Sequence, residues 1–174
     1  MIAEITLDAS HNLTETGIDV TERNFNAYET DLYEIRSKSE QHIRTDKLFK
    51  TYNNIQLKIL PLIYKGKKKA YIVTGSKKTG MAVFGNDYRI DFDKDNKIVG
   101  VKRLHAEVTP IEYQNDNKEY NAIHIHTKYA GDAMTVTDVF TLLMHWKYSN
   151  WETHMVVSED YLSVLHLRSK DLFL

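Results

Sequence analysis

The stretch "NAIHIHTKYAGDAMTVTDVF", residues 121–140, decides how this chain is read. Its first part alternates residue types with a period of two, which is the pattern of a β-strand. Successive strand side chains point to opposite faces, so His124 and His126 share one face, about 7 Å apart along the chain. Ile123 and Ile125 share the other face, and the expectation is that this apolar face meets the core. The second part reads as a helix start. Thr135 and Asp138 have capping-box spacing, with Val139, Leu142, Leu143 and Trp146 following as a buried stripe.

Two imidazoles on one face near a strand end can share a metal ion. Zinc accepts His nitrogen and carboxylate oxygen, and a catalytic site uses three protein ligands. Asp138 is the natural third ligand, because a carboxylate in the first turn of a helix is held ionised and oriented. A plainer reading stays open beside this one. An exposed polar pair on a strand and an ordinary helix cap explain the same four residues without any chemistry.

Working outward, "IQLKILPLIY" (55–64), "KKAYIVTG" (68–75), "GMAVFGNDYRIDFD" (80–93) and "KIVGVKRLHAEVTPIEY" (97–113) are rich in Ile, Val and Tyr. The turn chemistry of "KGKK", "GSKKTG" and "DKDN" separates them, so antiparallel hairpins are expected. "YNAIHIHTKY" (120–129) is a further strand. "HMVVS" (154–158) and "YLSVLHL" (161–167) follow the predicted helix 138–148 as two closing strands. Upstream, Phe25, Tyr28, Leu32 and Ile35 recur at helical steps, predicting a helix from about Asn24 to Phe49. Asn24 or Thr21 caps its start, and a break near Asp46 divides it. Residues 1–23 are polar and mixed and read as an arm or lead-in; residues 24–174 read as one domain. The fold class is α+β, or a three-layer α/β arrangement, built around one mostly antiparallel sheet flanked by helices.

Composition bounds the function. The 174 residues are 42% apolar and 27% charged, which excludes a disordered chain. With 23 basic and 24 acidic residues the net charge is −1, so no global field draws the protein to nucleic acid or an anionic membrane. The absence of cysteine excludes disulfides, thiolate metal sites and a Cys nucleophile. No stretch approaches the ~18 apolar residues of a membrane helix. "MIAEITLDASHNL" lacks the basic and apolar regions of a secretory signal, so a cytoplasmic protein is expected.

His-x-His, a short loop, Thr-x-x-Asp opening a helix, and a return strand together resemble the JAMM (JAB1/MPN+) metalloprotease motif. The resemblance covers residues 121 to about 167, and "HMVVSEDYLSVLHL" is similar to the strand pair after the motif helix in bacterial members. It implies a JAMM-like, cytidine-deaminase-like fold. It also implies Zn2+ as cofactor and cleavage of a peptide or isopeptide bond by a zinc-activated water. On it, His124, His126 and Asp138 are the zinc ligands, and Thr135 takes the place of the family's serine, whose hydroxyl supports the water or oxyanion. Thr127 stands where the family has proline. The family's acid/base glutamate has two candidates here, Glu107 on the preceding strand and Glu40. The partner is then a protein or peptide substrate. The alternative is a non-catalytic JAMM-like binding, accessory or immunity protein that lacks the base.

The remaining signals are plainer. His105 and Glu107 share a face in "KRLHAEV", which places His105 as an exposed strand residue or as a ligand beside the pair. His145 and His154 read as cations near a helix C-terminus, and His11, His42 and His166 as surface residues. The basic "YKGKKKAY" (64–71) reads as a hairpin tip and "DFDKDNKI" (91–98) as an acidic β-turn.

Overall fold

A computed structural model describes residues 4–8, 13–20, 22–114 and 119–174. Among them the architecture is mixed α+β, with two helices and twelve strands. The lead-in region, read from sequence as an arm, forms an antiparallel pair, β1 (Glu4–Leu7) with β2 (Leu13–Asp19). His11 and Thr21 lie outside the described residues.

Helix α1 (Ala27–Thr45) starts where its capping chemistry is best, at Asn26 rather than Asn24. Glu29 N donates to Asn26 Oδ1 (2.9 Å) and Asn26 N donates to Glu29 Oε2 (2.8 Å), which satisfies two otherwise unpaired helix-end donors. It is one helix, ending at Asp46 as C-cap. Its buried face is Ile35 and Ser39, whereas Phe25 and Tyr28 from the expected stripe are 47% and 54% exposed.

Strands β3 (Ile55–Tyr64), β4 (Lys67–Ser76), β6 (Tyr88–Phe92) and β7 (Ile98–Arg103) form an antiparallel sheet in the order β3-β4-β6-β7. Helix α1 lies against β3 and β4. Between them sits one core of Ile35, Phe49, Ala70, Ile72, Tyr88, Ile90 and Phe92. Fully burying a side chain such as Ile90 contributes about 1.5–3 kcal/mol. The basic stretch is the β3–β4 turn, as expected, with Lys65 and Gly66 left-handed. The acidic stretch is likewise a turn: Asp93 Oδ1 accepts from the main-chain N–H of Asp95 and Lys97.

Two runs read as single strands are each divided. The run 80–93 becomes β5 (Met81–Gly85) and β6, because Asn86 takes a left-handed conformation (φ 53°) that Asn tolerates. Its buried side chain secures the bend by donating to the Lys50 carbonyl (2.9 Å) and accepting from the Tyr88 hydroxyl (2.7 Å). The run 97–113 becomes β7 and β8 (Val108–Glu112). β5 and β8 then leave the first sheet and pair with each other.

The C-terminal part contains β9 (Tyr120–Ile125), α2 (Val136–Ser149), β10 (Trp151–Val157), β11 (Leu162–His166) and β12 (Asp171–Phe173). The last strand had no sequence signal. They form a sheet in the order β12-β11-β10-β9, with β9 parallel to β10 and the rest antiparallel. A parallel neighbour requires a crossover, and α2 supplies it. The expected single sheet is therefore four sheets, two of four strands and two of two. Under α2 lies a second core, of Phe84, Ala122, Met134, Leu142, Trp151, Val156, Leu165 and Leu167 among others. Trp151 belongs to this core, while Tyr148 is exposed. No described helix is long and apolar enough to cross a membrane.

Candidate metal centre

The site forms where β9 ends and α2 begins, and its first surprise is which face of β9 points inward. His124 and His126 are 5% and 4% exposed, while Ile123 and Ile125 are 53% and 73% exposed. The expectation that the isoleucines meet the core is thus reversed. Phe84 of β5, Asp138 of α2 and His105 after β7 cover the polar face of β9, and its apolar face remains in solvent.

Asp138 is fully buried and is held by the helix cap. Its Oδ2 accepts from Thr135 N (2.7 Å) and from the Thr135 hydroxyl (2.7 Å), and Asp138 N donates back to Thr135 Oγ1 (3.2 Å). The Thr135 hydroxyl is committed to orienting this carboxylate. Burial pushes the Asp138 carboxyl up, but the facing rings of His124 and His126 and the nearby charge of His105 outweigh it, so the group stays well below the usual carboxylate range.

Three imidazole edges face this carboxylate. His126 Nε2 is 3.2 Å and His105 Nε2 3.8 Å from Asp138 Oδ2, and His124 Nε2 is 3.5 Å from Oδ1. His105 Nε2 and His126 Nε2 lie 3.2 Å apart. Two bare lone pairs that close repel, so they must share a proton or an ion. A tetrahedral zinc with bonds of 2.0–2.1 Å has ligand–ligand edges of about 3.3–3.4 Å. The observed separations bracket that value. The buried group His105, His126 and Asp138 can hold a metal ion; of the expected set it keeps His126 and Asp138, and His105 stands in it where His124 was expected.

The opposite ring edges support the same orientation. His126 Nδ1 donates to the Gly131 carbonyl (3.2 Å), His105 Nδ1 faces Asp87 Oδ2 (3.4 Å), and His124 Nδ1 is 2.7 Å from His154 Nε2. His124 and His126 thus have Nδ1 hydrogen-bonded and Nε2 turned to the centre, the arrangement that fixes tautomer and orientation in metal-ligating histidines. His105 Nδ1 faces the Asp87 carboxylate without a formed hydrogen bond. His124 Nε2 and Asp138 Oδ1 are buried without a hydrogen-bond partner. An ion between them would satisfy both, so the donor set fits a metal.

His105 is not on a strand. Residues 104–107 are an irregular connection from β7 to β8, so His105 and Glu107 share no strand face: His105 is buried, and Glu107 is exposed, accepting from the Thr127 hydroxyl (3.2 Å). Burial pulls His105 down, yet Asp87, Asp138 and Glu107 together raise it above its ordinary value. Burial pushes Asp87 up, only partly countered by His105 and by the Thr74 N–H it accepts (2.9 Å). Glu40 is exposed on α1 and pairs with Arg44, on a helix face away from the site.

His154 is the functional neighbour that sequence reasoning missed. It lies on β10 rather than at the helix end, fully buried, with Phe84 stacked on both it and His124. Burial, followed by the charge of His124, pulls it down to about 3, so it is a neutral ring behind His124. His145 is likewise no helix-end cation: it lies half-buried against the Tyr113 hydroxyl (3.0 Å). His42 packs edge-on against Phe49, and His166 is exposed.

A cavity of about 440 Å³ opens beside His126, lined by Thr127, Lys128, Asp132 and Glu159 among others. A second, of about 550 Å³, lies between β8 and β9. No protein-family model, no curated protein and no solved structure matches this chain, so the functional reading rests on this geometry.

Proposed function

We propose that this chain is a JAMM-like zinc metallohydrolase acting on a peptide or isopeptide bond. The observation that carries the reading is the convergence of His126, Asp138 and His124 at one strand end and one helix start, in the order the motif resemblance implies. His124 and His126 present Nε2 and keep Asp138 ionised, and Thr135 holds the carboxylate aimed. Bound zinc would polarise a scissile carbonyl and lower the pKa of water toward ~7. Glu107 stands on the rim, two residues from His105, as the carboxylate available for proton transfer, a role typically worth ~10²–10⁴ in rate.

The groove between β8 and β9 suits an extended peptide. Among the described residues β8 pairs only with β5 and β9 ends its sheet, so each has an edge with no described strand on it. His126 N donates to Val157 O on the β10 side, so by alternation the main-chain groups of Ile123 and Ile125 face the open edge. Strand addition there would run a peptide toward the imidazoles at the end of β9.

A second reading is favoured by a specific observation: all four site groups are at most 5% exposed, and Glu107 is bonded to Thr127 rather than facing them. That burial suits a non-catalytic binding or accessory protein. Elemental analysis of purified protein tests the metal centre. About one zinc per chain, lost in Asp138→Ala, is expected; no metal and no binding on titration overturns the metallohydrolase reading. Zinc-loaded protein that cleaves no peptide or ubiquitin-like conjugate, with Glu107→Gln indistinguishable from wild type, leaves the binding reading.

A further inference from the structure

The motif resemblance supplies two histidines, one aspartate and a glutamate. The structure brings a third imidazole to the same carboxylate and builds a dedicated support for it. Resting on the metal centre proposed above, we propose that His105, oriented by Asp87, is a protein ligand of the ion, on one ligand face with His126 and Asp138.

The distances come first. His105 Nε2 lies 3.2 Å from His126 Nε2 and 3.8 Å from Asp138 Oδ2, so these three atoms outline one face of a ligand tetrahedron. No residue of that face is on the same element as another: His105 comes from the β7–β8 connection, His126 from just beyond β9 and Asp138 from α2. His105 is 5% exposed, so its ring has no solvent role.

The connection is fixed from three directions. Leu104 N and His105 N both donate to the Asp87 carbonyl (2.7 and 3.4 Å). The Arg103 guanidinium donates to the carbonyls of His105 (3.1 Å) and Ala106 (2.8 Å). Gly85 lets the chain lie flat against the end of β5, since a Cβ there would stand 2.1 Å from the Glu107 carbonyl oxygen. Asp87 thus acts twice. Its main chain anchors the backbone of His105 and its carboxylate faces the ring, 3.4 Å from Nδ1. A carboxylate behind a ligating imidazole fixes its tautomer and raises its basicity. Asp87 is a positioning residue and His105 the ligand.

The test strips the full chain with chelator and titrates it with Zn2+ by calorimetry and with Co2+ by visible absorption. Wild type should show the intense visible bands of four-coordinate Co2+. His105→Ala should bind more than about 100-fold more weakly and lose those bands for the weaker spectrum of a more hydrated ion. Asp87→Asn should keep the bands and lose about 10–100-fold in affinity, the usual effect of removing such a support. Should His105→Ala fail to fold, the imidazole ¹⁵N resonances of wild type decide, with His105 Nε2 expected to shift on Zn2+ addition. Wild-type affinity and spectrum in His105→Ala, or an unmoved His105 resonance, overturns the assignment and leaves zinc on His124, His126 and Asp138. A wild type that binds neither ion overturns the zinc reading itself.

Discussion

β6 and β9 are short strands of the same period with opposite insides. In β6, Tyr88, Ile90 and Phe92 are buried and Arg89 and Asp91 are half-buried on the outer side. In β9, His124 is buried and Ile123 and Ile125 are in solvent. β6 has neighbours on both edges and α1 within reach of its sheet, so apolar burial decides its orientation. β9 has one neighbour, β10, and its inward face meets Asp138, His105 and His154 instead. Its isoleucines continue an outward apolar row: Ile123 pairs with Met155, which pairs with Val164, which pairs with Phe173. The difference shows stability being given up at the candidate site, since each isoleucine left out forgoes part of the ~1.5–3 kcal/mol that full burial yields.

The comparison is sharpened most by Zn2+ itself. If the polar interior of β9 is a ligand set, free Zn2+ at about 1,000 times its Kd should stabilise the fold by about 4 kcal/mol, read as a rise in Tm. An unchanged Tm would leave the inversion of β9 without a chemical purpose. Next, Ile90→Ala in β6 should cost about 2–5 kcal/mol in urea unfolding, as for other fully buried aliphatic deletions. Ile125→Ala in β9 should stay within about 0.5 kcal/mol. Equal losses at the two positions would show that the outer face of β9 is covered in solution.

Gly85→Ala should cost about 2 kcal/mol or more. The position has φ 88° and a Cβ would collide with Glu107 main chain. The same substitution should weaken Zn2+ binding, because the segment that moves carries His105. Weakened folding with unchanged metal affinity would separate the segment from the centre. A smaller effect than that of Gly85→Ala concerns the helix cap. Thr135→Ala should cost about 1 kcal/mol in thermal unfolding, and Thr135→Ser much less, because the serine hydroxyl can keep the bond to Asp138.

Much of the fold is readable locally. The β3–β4 hairpin, the helix cap at Thr135 and the acidic turn at Asp93 follow from contacts within a few residues, and each stands where its chemistry put it. The division of runs 80–93 and 97–113 is less legible. Asn86 and the 104–107 connection interrupt stretches whose composition remains strand-like; Lys50 secures the first bend and Asp87 the second from elsewhere in the chain, with Arg103 adding local bonds to the second. His105 carries no periodic signal, because an irregular connection has no face to predict.

What the chain determined by itself was pairing: His124 with His126 on one strand face, and Thr135 with Asp138 across one helix turn. Those relations depend on backbone periodicity and capping, which act over two or three residues. Only the tertiary structure decided that the histidine face points inward, because alternation says which residues share a face and not which face is covered. It also brought His105 and His154 to that face, through the β7–β8 connection and the parallel register of β9 with β10. Such long-range placements depend on which surfaces bury each other, and no local pattern along the chain encodes that choice.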